Sequence, residues 1–190
     1  HRVLNSEGLR MPDEFVRPVW FGVLLALSSV TSAFKVSLPL DKSGSTMSVS
    51  YAVDFLALLL IGPHQTMLVA AVSAWSQCTF RMTEKNPLYR TLFSVASLTI
   101  TVQVAGLAFL LLGGVAGNLT LGLMTAKPLV GTAVTYFLVN TALVASAIAL
   151  STRQSAWKVW NENFLWSAPS YFVGAGVAGA IALLVIRSNS

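Results

Sequence analysis

Leu88–Leu112 reads LYRTLFSVASLTITVQVAGLAFLLL, 25 residues in which Arg90 is the only charge. At about 1.5 Å per residue, a helix of this length covers the roughly 30 Å hydrocarbon core of a bilayer. The stretch lacks the strict alternation of a barrel strand, and a lipid-embedded backbone must satisfy its own hydrogen bonds. It reads as a transmembrane helix. Similar runs lie on both sides of it. Pro18–Phe34, Val49–Gly62 and Pro63–Phe80 precede it, and Pro128–Leu150 and Phe164–Ile186 follow.

Composition agrees. Of 190 residues, 55% are hydrophobic and 10% charged, whereas a soluble domain carries about 25% charged residues. The net charge of +5 is spread thinly between apolar blocks, so it is no nucleic-acid patch. A single cysteine, Cys78, excludes a disulfide framework and a cysteine-based metal site. Two histidines, His1 and His64, leave no set for a histidine-rich metal centre. We expect no cofactor and no metal.

The expected fold is all-α: a polytopic membrane bundle of about six transmembrane helices. Residues 1–17 would lie outside the membrane, and 18–187 would form one helical domain. His1 in place of Met suggests an excerpt or a processed product. Gly62-Pro63 breaks what would otherwise be one overlong helix, so Val49–Gly62 and Pro63–Phe80 should form a tight antiparallel pair. Val49–Gly62 is short for a crossing and is expected to be tilted, partly unwound or sheltered inside the bundle. Residues 36–50, VSLPLDKSGSTMSVS, suit a small hairpin or lid over the bundle mouth. Asn161-Glu162-Asn163, after Trp157 and Trp160, reads as an interfacial turn with its aromatics at headgroup level. Seven Lys and Arg flank the ends of the first, third and fifth helices, which favours that side as cytoplasmic.

Only Asp54 places a charge well inside an apolar run. A carboxylate at such depth costs roughly 2.5–3.5 kcal/mol on insertion scales, so it should face the bundle interior. It is either a ligand- or proton-binding group, or a shallow acid capped by loop hydroxyls or paired with Lys35 or Lys42. Gln77, Gln103, Tyr136, Asn140, Ser170 and Tyr171 are the other polar candidates. With Asp54 they either line a ligand pocket, with Lys42 in the covering loop, or serve as interhelical glue. Gly22/Ala26 and Gly174/Ala178, each four apart, are helix-packing faces within the bundle or towards a dimer or membrane partner. His64 and Cys78 read as an interfacial histidine and a small buried apolar group.

The chain also carries a family resemblance. Lys35-Val36-Ser37-Leu38-Pro39, Gly44–Tyr51, Ile61-Gly62-Pro63, Val139–Ala145 and Trp160–Tyr171 resemble the membrane module of bacterial signalling proteins. In these a helical bundle precedes a cytoplasmic HD-GYP phosphodiesterase or GGDEF cyclase domain acting on cyclic dinucleotides. The resemblance covers roughly Phe34 to Gly179 and implies a non-catalytic sensory module in the bacterial inner membrane, with any enzymatic part beyond Ser190. The helix count, the lid-like loop and the polar cluster beneath it are also similar to the substrate-binding S component of energy-coupling-factor vitamin transporters. A structural accessory subunit of a larger membrane complex is the third expectation. Partners would be the bilayer, a small-molecule ligand, and a dimer mate or membrane subunits, with no nucleic acid.

Overall fold

A computed structural model describes residues 18–33, 35–37, 46–48, 50–79, 87–116 and 123–188. Helix α1 (Pro18–Ala33) leads into a hairpin of β1 (Lys35–Ser37) and β2 (Thr46–Ser48). The two strands pair antiparallel, Lys35 opposite Ser48 and Ser37 opposite Thr46. This is the hairpin expected at 36–50; Lys42 and the segment 1–17 lie outside the described residues. Then come α2 (Ser50–Ile61), α3 (Pro63–Thr79), α4 (Leu88–Leu111) and α5 (Leu123–Thr152). A short α6 (Ala156–Asn163), a 3₁₀ turn (Leu165–Ser167) and α7 (Ala168–Ser188) complete the described chain.

Every apolar run is therefore helical, and the fold is an all-α membrane bundle. The count of about six spans needs correction. Among the described residues, three segments are long and apolar enough to cross a membrane: Leu88–Leu111, Ala126–Thr152 and Ala156–Arg187. The first three helices have 16, 12 and 17 residues, so α2 reaches only about 18 Å.

Helix α2 is the hub of the bundle, packed between α1, α3 and α7. Its residues from Val53 to Ile61 are all buried. A helix that is apolar all round belongs inside, and SYAVDFLALLLI is such a sequence. Its shortness follows from its place, because a helix shielded from lipid on every side need not match the bilayer. Sheltering, among the three expectations for this run, is what the fold adopts.

The α2–α3 turn sits within the bundle and has its backbone satisfied locally. Gly62 adopts φ 85°, a conformation open mainly to glycine. Its carbonyl accepts from the Thr66 amide at 3.2 Å and the Thr66 hydroxyl at 2.7 Å. The Pro63 carbonyl accepts from Gln103 Nε2 on α4 at 3.3 Å. Irregular backbone is tolerated at membrane depth only when protein supplies such partners. Gln103→Leu should remove that hydrogen bond and cost about 0.5–1.5 kcal/mol, read as a lower melting temperature of the purified protein.

Two boundaries differ from expectation. Helix α5 begins at Leu123 rather than at Pro128, with the proline as its sixth residue. At the sixth position the missing N–H lies beyond the four amides that have no intrahelical partner, so the proline removes one bond of the ladder. Asn161–Asn163 form the last turn of α6 rather than a loop. That helix folds back along α5: Val159 packs on Ala145 and Ala149, and Trp160 Nε1 donates to Thr141 Oγ1 at 2.9 Å. Of the two tryptophans expected at headgroup level, Trp157 is 71% exposed, while Trp160 turns inward.

The small-residue faces divide. Gly174 and Ala178 pack inward, Gly174 against Tyr51. Gly22 and Ala26 do not pack within the chain: both are exposed, and no atom lies within 4 Å of a Cβ placed on Gly22.

Candidate functional site

Asp54 lies one turn into α2 and is 1% exposed. Its Oδ1 accepts from Ser28 Oγ of α1 at 2.9 Å. Its Oδ2 is buried with no hydrogen-bond partner among the described residues. Helical spacing puts Ser50 on the same face as Asp54. Gln77 Nε2 of α3 donates to Ser50 Oγ at 2.8 Å and to Ser73 Oγ at 3.2 Å. Ser28, Ser50, Ser73 and Gln77 thus form a hydroxyl- and amide-lined seam between α1, α2 and α3.

The other face of α2 presents Tyr51 and Phe55 to α5 and α7. Tyr136 of α5 is 2% exposed. Its ring lies edge-on to Phe55 at 6.4 Å and tilted to Tyr51 and Tyr171 at 6.4 and 6.2 Å. Tyr51 and Tyr171 approach to 4.8 Å, and Phe137 meets Tyr171 edge-on at 5.3 Å. Two hydroxyls in this cluster are engaged: Tyr51 Oη donates to the Ser170 carbonyl, and Asn140 Nδ2 donates to Tyr171 Oη at 2.8 Å. The third is not. Tyr136 Oη is buried and unpartnered, like Asp54 Oδ2.

Buried polar atoms are overwhelmingly hydrogen-bonded, and each exception calls for a reason such as a bound water, ion or ligand. Here the two exceptions are a carboxylate oxygen on α2 and a phenol on α5, the phenol among the rings of Tyr51, Phe55 and Tyr171. Such a set can accept a hydrogen bond from an incoming donor and offer π faces to a cation. It holds no metal-type grouping: among the described residues no three His, Cys, Asp or Glu cluster.

The family model MASE9, a family of membrane-associated sensory domains, matches residues 19–186. The chain belongs to the MASE9 family. No curated protein matches it. Membership makes this a membrane-associated sensory domain of a sensory rather than catalytic family.

Within this MASE9 domain the structure sorts the expected site residues. Tyr136, Asn140 and Tyr171 come together in one cluster with Ser170, which contributes its carbonyl, while Asp54 is held by Ser28 on the α1 side of α2. Gln77 joins the Asp54 face of α2 through Ser50. Gln103 belongs to neither; its amide serves the α2–α3 turn. His64 is exposed beside that same turn. Lys42 and the side chain of Lys35, the cations expected beside Asp54, lie outside what is described; the hydrogen bond to Asp54 comes from Ser28. Sequence reasoning missed Ser28 and Tyr51. Tyr51 stands three residues before Asp54, so its depth was readable, but the choice among the hydroxyls of α1 requires the helix pairing.

Proposed function

We propose that this MASE9 domain is the non-catalytic input module of a bacterial signalling protein, embedded in the cytoplasmic membrane by several passes. It takes up a small donor-bearing ligand, best an ammonium-type cation, between Asp54 Oδ2 and Tyr136 Oη, with Tyr51, Phe55 and Tyr171 as the aromatic wall. The observation that carries this reading is the pair of buried, unpartnered oxygens, one on α2 and one on the tyrosine of α5 that packs against Phe55, the residue after Asp54. A cation there would neutralise a carboxylate that has a single serine for company, and desolvated cation–π contacts are worth about 2 kcal/mol. Transmission would run from α2 to α7, because Tyr51 bonds the Ser170 carbonyl and packs on Gly174. A ligand that shifts α2 therefore displaces the start of α7. The output in this reading is an attached cyclic-dinucleotide enzyme beyond Ser190, as the sequence resemblance implies.

Methylammonium chloride is a suitable probe, against sodium chloride at equal ionic strength. It should raise the melting temperature of the wild-type protein by several degrees and leave Asp54→Asn unmoved. Equal shifts in the two proteins, or none in the wild type, would remove Asp54 from any binding site.

A further inference from the structure

The α5–α6 turn carries a second feature, at the membrane edge and independent of the Asp54 site. Gln154 N donates to the Ala149 carbonyl at 3.0 Å, which closes the end of α5 in a Schellman-type turn. Such a turn places one residue in the left-handed conformation, normally glycine. Here it is Arg153, at φ 55°. Non-glycine residues in that conformation carry strain and tend to cluster at functional positions.

End-capping does not account for the arginine. The Ala149 carbonyl is satisfied by the Gln154 amide, and the Ile148 carbonyl by the Ser151 and Thr152 hydroxyls at 2.8 Å each. Arg153 is exposed and makes no ion pair or hydrogen bond given for the described residues. Its side chain instead borders a groove of about 500 Å³ lined by Ser146, Ala149, Leu150, Arg153, Gln154 and Ala156. The groove has a cationic, amide-bearing mouth and an apolar floor running back along α5 towards the membrane interior. Leu150 is 83% exposed beside it, and Trp157, 71% exposed, follows in the next turn of chain; exposed tryptophan of this kind marks headgroup level. Lys158 and Glu162 stand four apart on α6, and Arg153 is the charged residue among those lining the groove.

We propose that this groove is a binding site for an anionic glycerophospholipid, its phosphate on the Arg153 guanidinium and Gln154 amide and its acyl chain along Leu150, Ala149 and Ser146. Charge and polarity match along the length of one lipid, and a planar guanidinium is suited to bidentate phosphate contact.

The test is native mass spectrometry of the detergent-purified protein given equimolar phosphatidylglycerol and phosphatidylcholine. The wild type should retain the anionic lipid about tenfold over the neutral one, the size of effect a charge-assisted contact provides. Arg153→Gly separates a structural from a binding role. Glycine fits the turn better, so this variant should melt at a higher temperature while losing its lipid preference. Arg153→Lys should keep part of the preference. Undiminished phosphatidylglycerol retention by Arg153→Gly, or no preference in the wild type, would overturn the assignment. Displacement of the lipid by millimolar inorganic phosphate would equally overturn it, showing a phosphate site in which the acyl chain takes no part.

Discussion

Asp54→Asn is expected to make the purified protein more stable while abolishing its response to methylammonium. The two effects have one cause. A buried carboxylate with a single serine partner is the costliest group in the bundle, at roughly 2.5–3.5 kcal/mol on insertion scales. Asparagine removes the charge yet keeps an oxygen to accept from Ser28. Its amide also brings a donor to the position where Asp54 has an unpartnered oxygen. A gain of about 1–2 kcal/mol follows, or some 2–8 °C in melting temperature for a chain of this size. Sensory and catalytic sites commonly carry such destabilisation because the strained group is the one that binds. Asp54→Leu supplies the comparison. It also removes the charge, but it leaves Ser28 to fall back on its own helix, as Ser29 does on the Leu25 carbonyl at 2.8 Å. Asn should therefore melt above Leu. A lower melting temperature for Asp54→Asn than for wild type would mean that the native carboxylate is already well compensated, and the case for an open ligand position would fall with it.

The bundle was legible in the sequence because hydropathy over a bilayer-length window is a strong signal, and Leu88–Leu112 and Phe164–Ile186 carry it plainly. Even α2 declared its enclosure: a carboxylate in the middle of an otherwise unbroken apolar dodecamer leaves lipid exposure unaffordable on any face. What failed to show was which polar residues meet. Gln77 and Gln103 look alike as amides in apolar helices, yet one joins the serine seam beside Asp54 and the other closes a turn. The difference depends on the depth at which Gly62-Pro63 reverses the chain, and that depth is set by packing against α4 rather than by local propensity. Likewise, Trp157 and Trp160 are three apart on a helix whose existence the sequence hides, because the eight residues of α6 are mixed polar and aromatic with no apolar run.

The largest loss of stability should come from Gly106→Leu. Gly22 and Gly106 are indistinguishable in the sequence, each a lone glycine within an apolar helix, and the fold treats them in opposite ways. A Cβ on Gly106 would stand 2.5 Å from Pro63 Cβ and 3.2 Å from Leu58 Cδ1. The proline ring cannot rotate aside, so α4 must back away from the α2–α3 turn, and the Gln103 contact with the Pro63 carbonyl opens with it. Alanine at 106 gains about 1 kcal/mol in helix propensity. Overpacking costs about 1–3 kcal/mol, and the lost Gln103 hydrogen bond adds about 0.5–1.5 kcal/mol more. Net destabilisation results even for alanine. Leucine, with three further carbons against a rigid turn, should prevent recovery of monodisperse protein by size exclusion. Gly22→Leu should leave that profile unchanged, since nothing lies within 4 Å of its added Cβ. Pro63→Gly deletes the opposing Cβ, so combined with Gly106→Ala it should recover part of the lost melting temperature. Failure of that rescue would locate the damage elsewhere on α4 and leave the close approach of α4 to the turn without a role in holding the buried hub.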